Sequence, residues 1–179
     1  DSSQAVISKL QTDINTNAVL NLHNAYTSQD VANYVAHILR EEVNRFSSAN
    51  HEATMILGTQ LPNESSHQIM LVYPQGNFIT TSDDTPFLQI GESKYGKPIL
   101  DRVVEHTTTL SIAAAAAIVS MDSTIRSNVS VGAPVELCIY KSSSFGRCFY
   151  NKFTEDSAFL KDFQSSWDSG IKKAFNNLP

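Results

Sequence analysis

At 179 residues, with 41% hydrophobic and 17% charged side chains, the chain has the size and composition of one globular domain with a real core, and residues 1–179 are read as a single domain. A net charge of -5 and the lack of any Lys/Arg cluster exclude a nucleic-acid footprint. No window approaches the roughly 18 consecutive apolar residues of a membrane span, and no basic-then-apolar opening segment marks export, so a cytoplasmic protein is expected.

Ser2 or Ser3 is expected to cap a first helix to about Ile14, with Val6, Ile7, Leu10 and Ile14 on one face. A polar connection follows over Asn15–Tyr26. Ser28 is then expected to cap a second helix, with Asp30 in its first turn. Its stripe is Val31, Tyr34, Val35, Ile38, Leu39, Val43 and Phe46, and Ser47–Asn50 ends it. Four strands are expected next, at Ala53–Thr59, Gln68–Tyr73, Asn77–Thr81 and Phe87–Ile90. The stretch Pro74-Gln75-Gly76-Asn77 reads as a tight turn.

A short helix begins near Pro98, where proline suits the first turn. A longer one runs from about Thr109 to at least Met121, and its Ala113–Ala117 run lets another element approach closely. Strands Val135–Lys141 and Arg147–Phe153 follow, and Asp156 or Ser157 caps a final amphipathic helix. Cys138 and Cys148 fall on the two neighbouring strands, where they can face each other; reduced thiols are expected. Consecutive strands with short turns mean antiparallel sheets, and helices in blocks mean an α+β fold.

Two segments are dense in polar groups. In Phe87–Val103, read as FLQIGESKYGKPILDRV, an apolar run ends at Gly91 and delivers Glu92, Ser93, Lys94 and Tyr95 to one turn before a helix leaves it. Rigid elements presenting polar groups on a short loop are where chemistry is usually sited. In Val119–Gly132, read as VSMDSTIRSNVSVG, Asp122 and Arg126 stand four apart, a spacing for an ion pair on one helix face. No phosphate loop, dinucleotide fingerprint, C-x-x-C pair or G-x-S-x-G elbow is present, and the five histidines lack metal-ligand spacing.

These two segments, with the opening DSSQAVISKL, resemble the bacterial proteasome-like peptidase family Anbu, the ancestral beta-subunit group. The resemblance covers nearly the whole chain and is specific at Gln89–Arg102 and Val119–Gly132. It implies the N-terminal-nucleophile hydrolase fold, a four-layer αββα sandwich with antiparallel sheets. It also implies a Thr, Ser or Cys nucleophile at the mature N-terminus, with its own α-amine as base, assisted by an Asp and a Lys on early strands. The chain as given begins at Asp1 in what resembles the first long helix. The nucleophile-bearing strands are therefore expected upstream and absent here.

What the resemblance carries over is the supporting half of that site. Ser93 matches a serine on the loop after a core strand. Ser127 and Ser130 match a second group between helix and strand, although Ser127 stands where an Asp is usual. Asp122, one turn earlier, is the substitute carboxylate. Related peptidases hold a cation on backbone carbonyls of this second loop, and the segment here is a candidate for the same; no cofactor is expected. Copies of the chain itself, in a ring or helical assembly, and a peptide or amide substrate are the implied partners. Two functions follow: a self-assembling threonine- or serine-type peptidase or amidohydrolase, or a non-catalytic assembly subunit or inactive remnant.

Overall fold

The computed structural model describes residues 2–45 and 53–179, and the side chain of Ser2 is outside that description. The expected places of Phe46 and Ser47–Asn50 at the end of the second helix lie outside the described residues. The chain divides into two compact units, Asp1–Ile90 and Gly91–Pro179.

In the first unit, helix α1 (Ser2–Asn15) and helix α2 (Ser28–Arg45) are joined by a connection holding a short 3-10 turn at Leu22–Asn24. Asn21 caps that turn, accepting from the His23 N–H at 2.8 Å. Because α1 begins at Ser2, Ser3 lies inside the helix rather than at its cap. The cap of α2 is Thr27, not the expected Ser28. The Thr27 hydroxyl accepts from the Asp30 N–H at 3.1 Å while the Asp30 carboxylate accepts from the Thr27 N–H at 2.9 Å, a reciprocal capping box. Ser28 is instead fully buried and turned to Glu64.

Three strands, β1 (Met55–Thr59), β2 (Gln68–Val72) and β3 (Phe78–Thr80), form an antiparallel sheet in the order β1-β2-β3. Leu57 opposes Met70, and Leu71 opposes Ile79. The β2–β3 turn needs Gly76 in the left-handed region, at φ +87°, and any Cβ there would press on the Arg40 side chain at 3.1 Å. The core is Val6 of α1, Ala36, Ile38 and Leu39 of α2, Ala53, and Val72 of β2, flanked by Leu10, Tyr34, Val43, Met55, Leu57 and Phe78. Helix and sheet thus bury one face each against the other.

The fourth expected strand, Phe87–Ile90, is not a strand. A strand exists only within a ladder, and an apolar run cannot specify its partner. The chain bends first through a Ser82–Thr85 turn, with backbone bonds of 3.1 Å both ways.

The second unit holds helix α3 (Lys97–Val103), helix α4 (Leu110–Ser127), the antiparallel hairpin β4 (Val135–Tyr140) and β5 (Cys148–Phe153), and helix α5 (Ala158–Asn176). Thr109 and Ser157 cap α4 and α5. Ala116, Ile118 and Val119 of α4 are buried, as are Leu100, Val135 and Phe153. The Phe153 ring stacks on Phe159 of α5, centroids 5.0 Å apart. Cys138 opposes Tyr150 and Cys148 opposes Tyr140, so the cysteines are diagonal neighbours on one face rather than a facing pair. Both are free thiols, and that of Cys138 is pushed up, first by its hydrogen bond with Cys148. The mixture of helix blocks and antiparallel sheets is the expected α+β class.

Candidate functional site

The polar residues of both segments, from Gly91 onward, fall in the second unit, and the structure joins them. The first loop opens at Gly91, whose φ of +78° is readily adopted only by glycine. That turn sends Glu92 back over its own loop, where its carboxylate accepts the Lys94 N–H at 2.9 Å. The loop then becomes helix, the Ser93 carbonyl accepting the Lys97 N–H at 2.9 Å. Lys97 and Asp101 pair at 2.7 Å on the exposed face of α3, four residues apart.

Gly96 sets the depth of this loop. A Cβ there would stand 2.2 Å from the Ser120 hydroxyl oxygen and 3.0 Å from the Ser120 carbonyl. Only glycine lets the start of α3 lie this close to α4, at the small residues that the alanine run leads into.

The second loop begins where α4 stops. The Asn128 N–H still donates to the Thr124 carbonyl at 2.8 Å, but Asn128 itself is extended. Its side-chain oxygen accepts the Ser130 N–H at 2.9 Å, a local turn of the kind Asn favours. Its amide nitrogen donates to the other Glu92 oxygen at 3.0 Å. One carboxylate and one carboxamide thereby connect the backbone of the Ser93 loop to the backbone of the Ser130 loop.

Ser93 is half-buried, and Ser127 and Ser130 are exposed. Asp122 is elsewhere in the same unit. It is 6% exposed, accepts from Gln164 of α5 at 2.6 Å, and pairs with Arg126 at 3.0 Å. That pairing holds the Arg126 guanidinium above its ordinary value, with Asp168 at 3.3 Å adding to the effect. The Asp122–Arg126 pair expected from spacing is thus present, but it is a pin between α4 and α5.

Glu92 and Asn128 stand as polar residues in the two segments, yet the sequence alone assigns neither a role. The available signal is local: Asn-x-Ser directly after a helix end, and a carboxylate two residues before a loop N–H. Among the described residues, no cluster of three His, Cys, Asp or Glu side chains is placed to hold a metal ion. The Asn128 carbonyl accepts the Val131 N–H at 3.0 Å. Among the described residues, no helix is long and apolar enough to cross a membrane.

The α+β fold of this chain is shared with solved structures of Anbu, a proteasome-like family. The chain is similar to Anbu (ancestral beta-subunit) from Yersinia bercovieri, with 38% identity, a TM-score of 0.94, and coverage of 99% of this chain and 75% of that one. It is similar to Anbu from Pseudomonas aeruginosa, solved as a helical assembly of the Anbu complex, with 39% identity, a TM-score of 0.90 and the same coverages. Anbu from Hyphomicrobium sp. strain MC1 matches at 34% identity and a TM-score of 0.90, over 99% of this chain and 76% of that one. The chain belongs to the Anbu family. No protein-family model matches it, and no curated protein does.

Proposed function

We propose that this chain is the larger part of a self-assembling peptidase or amidohydrolase subunit of the N-terminal-nucleophile type, and that its two joined loops are the supporting side of the active site. The observation that carries this reading is the Glu92–Asn128 bond. It brings together, within a chain of the Anbu family, the loop that bears Ser93 and the loop that follows Ser127, the last residue of α4, and bears Ser130.

In this reading a terminal hydroxyl or thiol from residues upstream attacks the substrate carbonyl while its own α-amine takes the proton. Backbone N–H groups receive the developing oxyanion. The proton passes to the leaving amine as the C–N bond breaks, and water then hydrolyses the acyl-enzyme. Ser93, Ser127 and Ser130 orient the amine and that water. Asp122 acts at a distance, by holding the end of α4 against α5. Copies of the chain associate, as the helical assembly of the Pseudomonas aeruginosa complex supports.

The test uses the complete protein. Hydrolysis of a panel of fluorogenic peptide amides is expected to vanish when the N-terminal Thr, Ser or Cys becomes Ala, and to fall in Ser93→Ala. Full activity after the nucleophile change overturns the reading. An intact nucleophile with no hydrolysis, in a protein that still sediments as an assembly, favours the non-catalytic assembly subunit instead.

A further inference from the structure

We infer that Glu92 and Asn128 are a positioning pair that sets the spacing of the two serine-bearing loops, and through it the rate of the chemical step. For that last effect the inference rests on the function proposed above.

The pair is defined by its hydrogen bonds. One Glu92 oxygen accepts from the Lys94 N–H at 2.9 Å and the other from Asn128 Nδ2 at 3.0 Å. The Asn128 oxygen accepts from the Ser130 N–H at 2.9 Å. The line of bonds runs from the residue after Ser93 to Ser130 itself, with every donor facing an acceptor. A carboxylate is required at position 92 because two donors converge on it. A carboxamide is required at position 128 because one atom must donate and the other accept. The hydrogen bonds to the carboxylate are charge-assisted, the stronger kind. They tie together two loops whose linked residues lie 36 positions apart in the chain.

Neither side chain is a catalytic residue here. Their effect is on geometry, and reaction rates fall steeply when a supporting group drifts by an ångström. Loss of the pair is therefore expected to lower kcat and leave KM near its original value, because the pair acts on loop spacing and not by touching substrate.

The polarity of the pair makes it testable by exchange. Glu92→Gln leaves one acceptor oxygen for two donors. Asn128→Asp sets two carboxylates against each other. The double variant restores these three bonds with the link reversed. The carboxamide introduced at position 92 accepts from the Lys94 N–H and donates to the carboxylate introduced at position 128, which still accepts from the Ser130 N–H. Net charge is unchanged in the double variant. In the complete protein, with fluorogenic peptide amides as probes, each single change is expected to lower kcat about tenfold or more with KM within about twofold, the scale of a displaced supporting group. The double is expected to recover kcat to within about threefold of the parent, as neighbouring changes that restore one network do. Parent-like kcat in both single variants, or a double no better than the worse single, overturns the pair.

If the parent hydrolyses none of the probes, the proposed function fails separately, and the pair is judged by amide hydrogen exchange. Protection at Lys94 and Ser130 is then expected to drop in the single variants and return in the double. Protection unmoved by the single changes overturns the pair.

Discussion

Gln164 of α5 donates to the Asp122 carboxylate of α4 at 2.6 Å, and Arg126 closes on the same carboxylate at 3.0 Å. The carboxylate is buried, so its partners replace the water it lost. Asp122→Ala leaves the part-buried Gln164 donor without this acceptor and takes from Arg126 one of its two carboxylates, and is expected to cost about 1–3 kcal/mol. Asp122→Asn, which keeps shape and one acceptor, is expected to cost less. Removing the exposed partner by Asp168→Ala is expected to cost under about 1 kcal/mol, as surface pairs do. Urea unfolding of the three variants checks the order; a cost for Asp168→Ala equal to that of Asp122→Ala contradicts it.

Gly96 makes a second site where one atom decides the packing. Its missing Cβ would lie 2.2 Å from the Ser120 hydroxyl and 3.0 Å from the Ser120 carbonyl. Gly96→Ala is expected to destabilise the second unit by about 1–3 kcal/mol, the range for overpacking. Adding Ser120→Ala removes the hydroxyl clash but not the backbone one. The double variant should therefore regain part, not all, of the lost melting temperature, and full recovery would show that the carbonyl contact does not matter.

Glu64 governs the acid side of stability in the first unit. Its carboxyl is held below its ordinary value, chiefly by the Ser28 hydroxyl, then by the Leu61 and Ser28 N–H groups. Thr59 extends the network, donating to the Ser28 hydroxyl at 2.6 Å. A depressed carboxyl stabilises the fold fully above its unfolded value, near 4.5, and loses that effect as pH falls toward the lower folded value. Asp13, lowered first by Lys9 and then by Tyr34, acts in the same sense. The urea midpoint difference between the parent and Glu64→Gln is expected to be largest above pH 4.5 and to shrink below it. A difference that stays constant down to about pH 3, well into carboxyl titration, contradicts this.

Tyr34 governs the alkaline side. Burial, followed by its hydrogen bond to Asp13, pushes its phenol up to about 12. A raised value means the contribution is complete below the ordinary 10 and is lost as pH rises from there toward 12. Tyrosinate absorbance should show a component titrating near 12 that Tyr34→Phe deletes, while Tyr150, also raised, chiefly by its hydrogen bond to Glu136, keeps its own. The variant's stability should also fall less steeply across that window.

Much of the architecture is legible from neighbours along the chain. The helical stripe Val31, Val35, Ile38, Leu39 is buried as its spacing implies, and Pro98, Thr109 and Ser157 stand at helix starts as their chemistry implies. Where sequence and structure part at Ser28, Phe87–Ile90 and the cysteines, a partner beyond the local segment decides. Ser28 is a good cap by type, yet Thr27 holds the reciprocal Asp30 bond, and Glu64, 36 residues on, claims Ser28. Phe87–Ile90 has the composition of a strand, but composition does not choose a ladder. Cys138 and Cys148 share a face, and register alone makes them diagonal.

The sequence by itself therefore determined the α+β class, the order of elements apart from the strand expected at Phe87–Ile90, and the two polar loops, because periodicity, capping and turn chemistry act within a few residues. Only the tertiary structure decided that Asp122 turns to α5 while Glu92 turns to Asn128. Those bonds span 42 and 36 residues, and no local pattern selects a partner that far away. The packing of α3 and α5 on α4 selects it.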